Sequence, residues 1–144
     1  MVSLMKILCT LMLLSAATLV SAQAAKGEQD AALALAIASR HTLNEYAIGA
    51  VEPEAMKYTQ RLRLTRAALD TQRKQWPAVT SGSDPSDKYS ACRNALEQAS
   101  HVAGLSGIRA FGPLEDKIFN AEKSHLKQLR SDCDELVKRG RKPG

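Results

Sequence analysis

Aromatic side chains are scarce in this 144-residue chain: two phenylalanines, three tyrosines and one tryptophan. The apolar content is instead mostly alanine and leucine, which suits helix-on-helix packing better than a β-sandwich. Cysteine is scarcer still, with three residues. No Cys-x-x-Cys pair occurs, and no Cys-x-x-Cys-His, which excludes covalently attached c-type haem. Gly-rich phosphate loops and nucleophile-elbow patterns are likewise missing. Nothing singles out an activated serine, because Ser124 and His125 are neighbours in sequence and leave a helix in different directions. No DNA- or RNA-binding motif accompanies the net charge of +5, so no nucleic-acid partner is expected.

What is present begins with a secretion signal. A short leader ends in a lone cation, Lys6, and an apolar stretch follows from Ile7 to Val20. Ala22-Gln23-Ala24 then gives the small-x-small pattern read by a signal peptidase. Residues 1–24 are therefore expected to be cleaved, leaving a mature N-terminus at Ala25. The apolar stretch is about 14 residues, short of the roughly 20 needed to span a bilayer, so no stable membrane span is expected after cleavage. Cys9 leaves with the signal, and the remaining pair, Cys92 and Cys133, reads as a disulfide in an oxidising compartment. The short signal and alanine-rich cleavage region point to a periplasmic or secreted protein.

Residues 25–139 read as one domain of four helices. The first is expected over about Gln29 to Ile48, with Asp30 as its cap and Gly49 as its stop. Leu33, Ile37, Ala47 and Ile48 mark its apolar face, which Arg40, His41 and Asn44 interrupt. The second opens at Pro53, with Glu52 and Glu54 beside the positive helix end. Ala55, Tyr58, Leu62, Thr65, Leu69, Gln72 and Trp76 follow the 3-4 spacing of a packed seam, and Trp76-Pro77 stops the helix. After a polar loop, Ser86 or Asp87 begins the third, whose small face is Cys92, Leu96, Ala99, Ala103 and Ala110. The fourth opens at Pro113, with Leu114, Ile118, Ala121, His125, Leu129, Cys133 and Leu136 on one face. Residues 140–144 read as a flexible basic tail.

The disulfide decides where the third helix ends. Antiparallel neighbours can be bridged only where both cysteines lie at one height. Measured from Pro113, Cys133 lies about 30 Å down the fourth helix. Cys92 lies about 28 Å down a third helix that continues to Phe111, but only about 18 Å down one that ends at Gly104. The longer helix is therefore predicted, with its glycines permitting close helix approach. The fold class follows: an all-α, up-down-up-down four-helix bundle with one inter-helix disulfide.

Function is far less legible. His41 and His125 fall at similar heights on the first and fourth helices, and Glu122 precedes His125 with Glu-x-x-His spacing. These three residues are weak metal candidates, and the two histidines could instead serve haem. A haem- or metal-binding periplasmic bundle is thus the alternative to the main reading, which assigns no cofactor, no metal, no catalytic residue and no enzymatic activity. The break at Arg40, His41 and Asn44 has two kinds of explanation: pairing with Glu122 or another acid inside the bundle, or exposure to a partner or ligand cavity. The back of the second helix carries Arg63, Arg66, Arg73 and Lys74, either a solvated face or a docking surface for an acidic partner. The run Lys138 to Lys142 reads as solvated, with weak contact to anionic surfaces as the sharper alternative. The expectation is an exported binding protein, of inhibitor, immunity or adaptor type, that acts on another protein through these polar faces.

Overall fold

Helices account for all the regular structure among the described residues, which in this computed structural model are 2–46, 48–49, 55–78, 84–112 and 114–142. The order is α1 (Val2–Glu45), α2 (Ala55–Arg73), a short 3-10 helix (Pro85–Tyr89), α3 (Ser90–Phe111) and α4 (Asp116–Gly140). Backbone contacts divide the chain into Met1–Ala31, which holds the N-terminal part of α1, and Ala32–Gly144, which holds the bundle. No helix among the described residues is long and apolar enough to cross a membrane.

The bundle is antiparallel at every neighbouring pair. On α3 and α4, Cys92 is bonded to Cys133, Gln98 reaches Glu122 and Arg109 reaches Asp116. On α1 and α4, Arg40 meets Asp134 and Asn44 meets Arg130. Ser39 of α1 accepts from Gln72 and Trp76 at the end of α2. Gly107 of α3 lies against Leu62 of α2: a Cβ at Gly107 would be 3.0 Å from Leu62 Cδ2. α3 is the most enclosed helix, with Cys92, Ala95, Leu96, Ala99, Val102, Ala103 and Ser106 all buried between its neighbours. Burial of a leucine or phenylalanine stabilises by about 1.5–3 kcal/mol, and Leu43, Leu69, Leu96, Phe119 and Leu126 supply that here.

α3 runs to Phe111, as the heights of the two cysteines require, and their Cα atoms are 4.6 Å apart. Along α2, Tyr58, Thr65, Leu69, Gln72 and Trp76 are buried and Leu62 is half-buried, in agreement with the expected seam. Pro53, with Glu52 and Glu54, lies outside the described residues, as do Ala47 and Pro113. α3 starts at Ser90 and not at Ser86 or Asp87, because Asp84 caps the 3-10 helix first, its side chain accepting from the Ser86 N–H at 2.8 Å. Ala110 is exposed.

Two faces differ from expectation by one residue. In α1 the buried line is Ala32, Ala36, Ser39 and Leu43, while Leu33 and Ile37 flank it half-buried. The small alanines and serine allow close approach, so the larger aliphatics sit at the seam's edges. α1 is also continuous through Asp30, which therefore caps nothing, and it ends at Glu45 before a turn in which Gly49 takes φ +81°. In α4 the buried residues are Phe119, Leu126, Cys133 and Val137. Ile118 is 46% exposed, and Ala121 and His125 are exposed as well. The disulfide turns Cys133 inward, and steps of seven back from it reach Leu126 and Phe119. The aliphatic Ile118 drew the expected face one residue away from Phe119.

Gly140 closes the far end of the bundle. It is the last residue of α4, and a Cβ there would overlap Tyr89 Oη and stand 2.9 Å from Leu33 Cδ1. With any larger residue there, the ends of the Tyr89 and Leu33 side chains would have to shift.

Candidate functional site

The polar break in α1 lies on the rim of the α1–α4 seam. Arg40 is partly exposed, with its Nε 2.7 Å from Asp134 Oδ1. Arg130 Nη2 donates to Asn44 Oδ1 at 2.9 Å. His41 is 78% exposed, and its Nδ1 lies 3.6 Å from Glu45 Oε2, one turn along the same helix. The acid that pairs with Arg40 is thus Asp134, whereas Glu122 of α4 pairs with α3, accepting from Gln98 Nε2 at 2.6 Å with His101 Nε2 at 3.8 Å.

Two open grooves flank the Arg130–Asn44 bond. One, of about 620 Å³, is lined by Ile37, Arg40, His41, Asn44, Glu45 and Arg141. The other, of about 480 Å³, is lined by Ile48, Asn120, Lys123, Ser124, Leu126, Lys127 and Arg130. The second has no acidic residue in its wall. Lys123 extends over the Phe119 ring, its Nζ 5.4 Å from the centroid, while Arg109 stands 4.9 Å from the same ring. The Lys123 stem also packs on the α1–α2 turn, with Cδ and Cγ each 3.4 Å from where a Cβ on Gly49 would be.

The expected docking face on α2 has a different character. Arg63, Arg66, Arg73 and Lys74 are all exposed. Arg66 and Arg73 line a groove of about 660 Å³ against α3, together with Asp70, Glu97, Ser100, His101, Gly104, Leu105 and Ile108. Two arginines and two carboxylates balance one another there. Arg63 and Lys74 lie outside that groove.

The weak metal candidates do not come together. His41 and His125 are both exposed, which places them outside the core, and Glu122 is engaged by α3. Among the described residues, no group of three or more His, Cys, Asp or Glu side chains converges. Among the described acids, the Asp84 carboxyl is the perturbed one. The Ser86 side chain beside it, without an aligned hydrogen bond, and the Ser86 backbone N–H at 2.8 Å hold its pKa below the ordinary carboxylate value, with help from Arg93. That is a capping role at a helix start and not a reactive one.

Arg141 belongs to the expected basic tail, and the cations of the α1–α4 face that sequence reasoning missed are Lys123, Lys127 and Arg130. Their i, i+4, i+7 spacing was visible in Lys123, Lys127 and Arg130, but the mixed charges around them hid it. Open grooves with polar walls can bind and orient a partner; of the two where α1 and α4 meet, the one along Lys123, Lys127 and Arg130 carries charge of one sign, whereas the other includes Glu45. Comparison of the chain with protein families, with curated proteins and with solved structures gives no match.

Proposed function

We propose that the chain is exported through a cleaved signal, residues 1–24, and acts in the periplasm or outside the cell as a binding protein for another protein. The observation that carries this reading is the alignment of Arg40, Arg141, Lys123, Lys127 and Arg130 along one seam of a covalently stapled bundle. A rigid scaffold that presents fixed charges is suited to recognition, because little is lost in ordering the surface on binding. The Cys92–Cys133 bond suits an oxidising compartment. Cleavage after Ala24 is compatible with the bundle, since Gln23 to Ala31 are exposed and the core begins at Ala32.

The α1–α4 face is favoured over the basic back of α2, whose groove is neutralised by Asp70 and Glu97. Photo-crosslinking residues placed at His41 and Lys127, with Arg63 and Lys74 as the α2 comparison, test the reading in producing cells. A discrete protein adduct from the first two positions is the expected result. Adducts only from α2 would move the surface, and no adduct from any of the four would refute binding as the function. Intact mass of the exported protein should begin at Ala25.

A further inference from the structure

The groove between α4 and the α1–α2 turn has a chemistry that narrows the partner. Its wall holds Lys123, Lys127 and Arg130 and not one carboxylate. Among the described residues no acid pairs with any of the three. The cations stand at i, i+4 and i+7 and so form one row about 10 Å long on the helix surface. Two of them are held in place: Arg130 by its hydrogen bond to Asn44, and Lys123 by the Phe119 ring and the turn at Gly49. A row with fixed members cannot collapse onto a single small anion.

Beside the row the groove wall holds the polar Asn120 and Ser124 and one accessible apolar residue, half-buried Ile48, set over buried Leu126. An inorganic phosphate or a polyphosphate would satisfy the cations and leave that surface uncovered. An amphipathic helix covers both, with carboxylates repeating once per turn on one edge and an aliphatic side chain on the other.

We infer that this groove docks an acidic amphipathic helix of a partner protein, its carboxylates meeting Lys123, Lys127 and Arg130 and its apolar edge lying on Ile48. The inference rests on the binding function proposed above and specifies the partner's chemistry.

The test uses the purified protein and a fluorescent helical peptide with glutamates at i, i+4 and i+7 and leucine at i+3. Its controls are a scrambled peptide of the same composition and a polyphosphate competitor. Saturable binding of the patterned peptide, at least about tenfold tighter than the scrambled one, is expected, weakening as salt rises. Lys123→Glu with Lys127→Glu should reduce affinity about tenfold or more, while Arg63→Glu with Arg66→Glu should leave it unchanged. If the double reversal impairs folding, judged by its melting curve, Lys123→Gln with Lys127→Gln replaces it and should give a smaller loss of the same sign. Equal binding of patterned and scrambled peptides, insensitivity to the α4 substitutions, or no peptide binding at all would overturn the inference. So would stoichiometric displacement by polyphosphate at a concentration too low to screen charge, since the groove would then recognise charge alone. Failure here together with crosslinked protein at His41 and Lys127 would remove the acidic helix and leave the binding function standing. Absence of crosslinks would remove the function itself.

Discussion

Ser39 is the point at which one small substitution should be felt throughout the bundle. Its hydroxyl is fully buried. It accepts from the Trp76 indole N–H at 3.0 Å and from Gln72 Nε2 at 3.4 Å, and it donates to the Leu35 carbonyl at 2.8 Å. Ser39→Ala orphans the indole N–H of Trp76, a residue only 6% exposed. An unsatisfied buried donor costs about 1–3 kcal/mol. The Gln72 contact is long and its amide can turn elsewhere, so it adds little. Alanine's better helix propensity returns a few tenths of a kcal/mol. The expected loss is therefore about 1.5 kcal/mol, equivalent to a fall in Tm of about 6 °C for a domain of this size. The assay is urea unfolding with the disulfide intact, followed by far-UV circular dichroism, which also reads the variants that lack Trp76, the only tryptophan. Trp76→Phe removes the donor instead, so in the Ser39→Ala background it should cost measurably less than in the wild type. A change below about 0.3 kcal/mol for Ser39→Ala, or strict additivity in the double variant, would show that the hydroxyl is not the acceptor on which the α1–α2 seam depends.

The glycines provide an internal contrast: Gly140→Ala should destabilise by about 1–3 kcal/mol through overpacking on Tyr89 and Leu33, whereas Gly104→Ala, with nothing within 4 Å, should stabilise by up to about 1 kcal/mol. Thermal melts of the two variants check both signs. Cys92→Ala with Cys133→Ala opens a loop of 41 residues and should lower stability by up to about 4 kcal/mol on chain-entropy grounds, read as a lower urea midpoint. Asp84 should contribute to stability at neutral pH. Because its folded pKa lies below the ordinary 3.8, that contribution is full above 3.8 and is lost as pH falls through the lowered value. Asp84→Asn should accordingly flatten the acid limb of the stability–pH curve while leaving its slope near neutrality unaltered.

How far the sequence reached depended on how much competition each helix face contained. α2 was read correctly because its apolar residues sit on one 3-4 line with basic residues behind them. The end of α3, though not its start, was legible because the staple imposes a length that local propensity, with Gly104 and Gly107 in the way, would have denied. In α1 the rule that large aliphatics mark the core pointed to Leu33 and Ile37, but the helix approaches its neighbours through Ala32, Ala36 and Ser39. In α4 the same rule chose Ile118 over Phe119. The polar break at Arg40, His41 and Asn44 was seen, but its partners Asp134 and Arg130 lie some 90 residues away in sequence and only packing brings them close. The α4 cation row became distinct only once Ile48 and the turn at Gly49 were found against it.

The first and last helices share a seam, and this fixes when the domain can be finished. A chain emerges from the ribosome N-terminus first, so α1 and α2 exist before their remaining partners do. The Ala32–Leu43 stripe stays without α4 until that helix has been made. The covalent bond does not shorten that wait, since it joins only the two later helices. Gly140 then seats the end of α4 on Tyr89 and Leu33. A chain clipped before α4 leaves that stripe of its first helix uncovered.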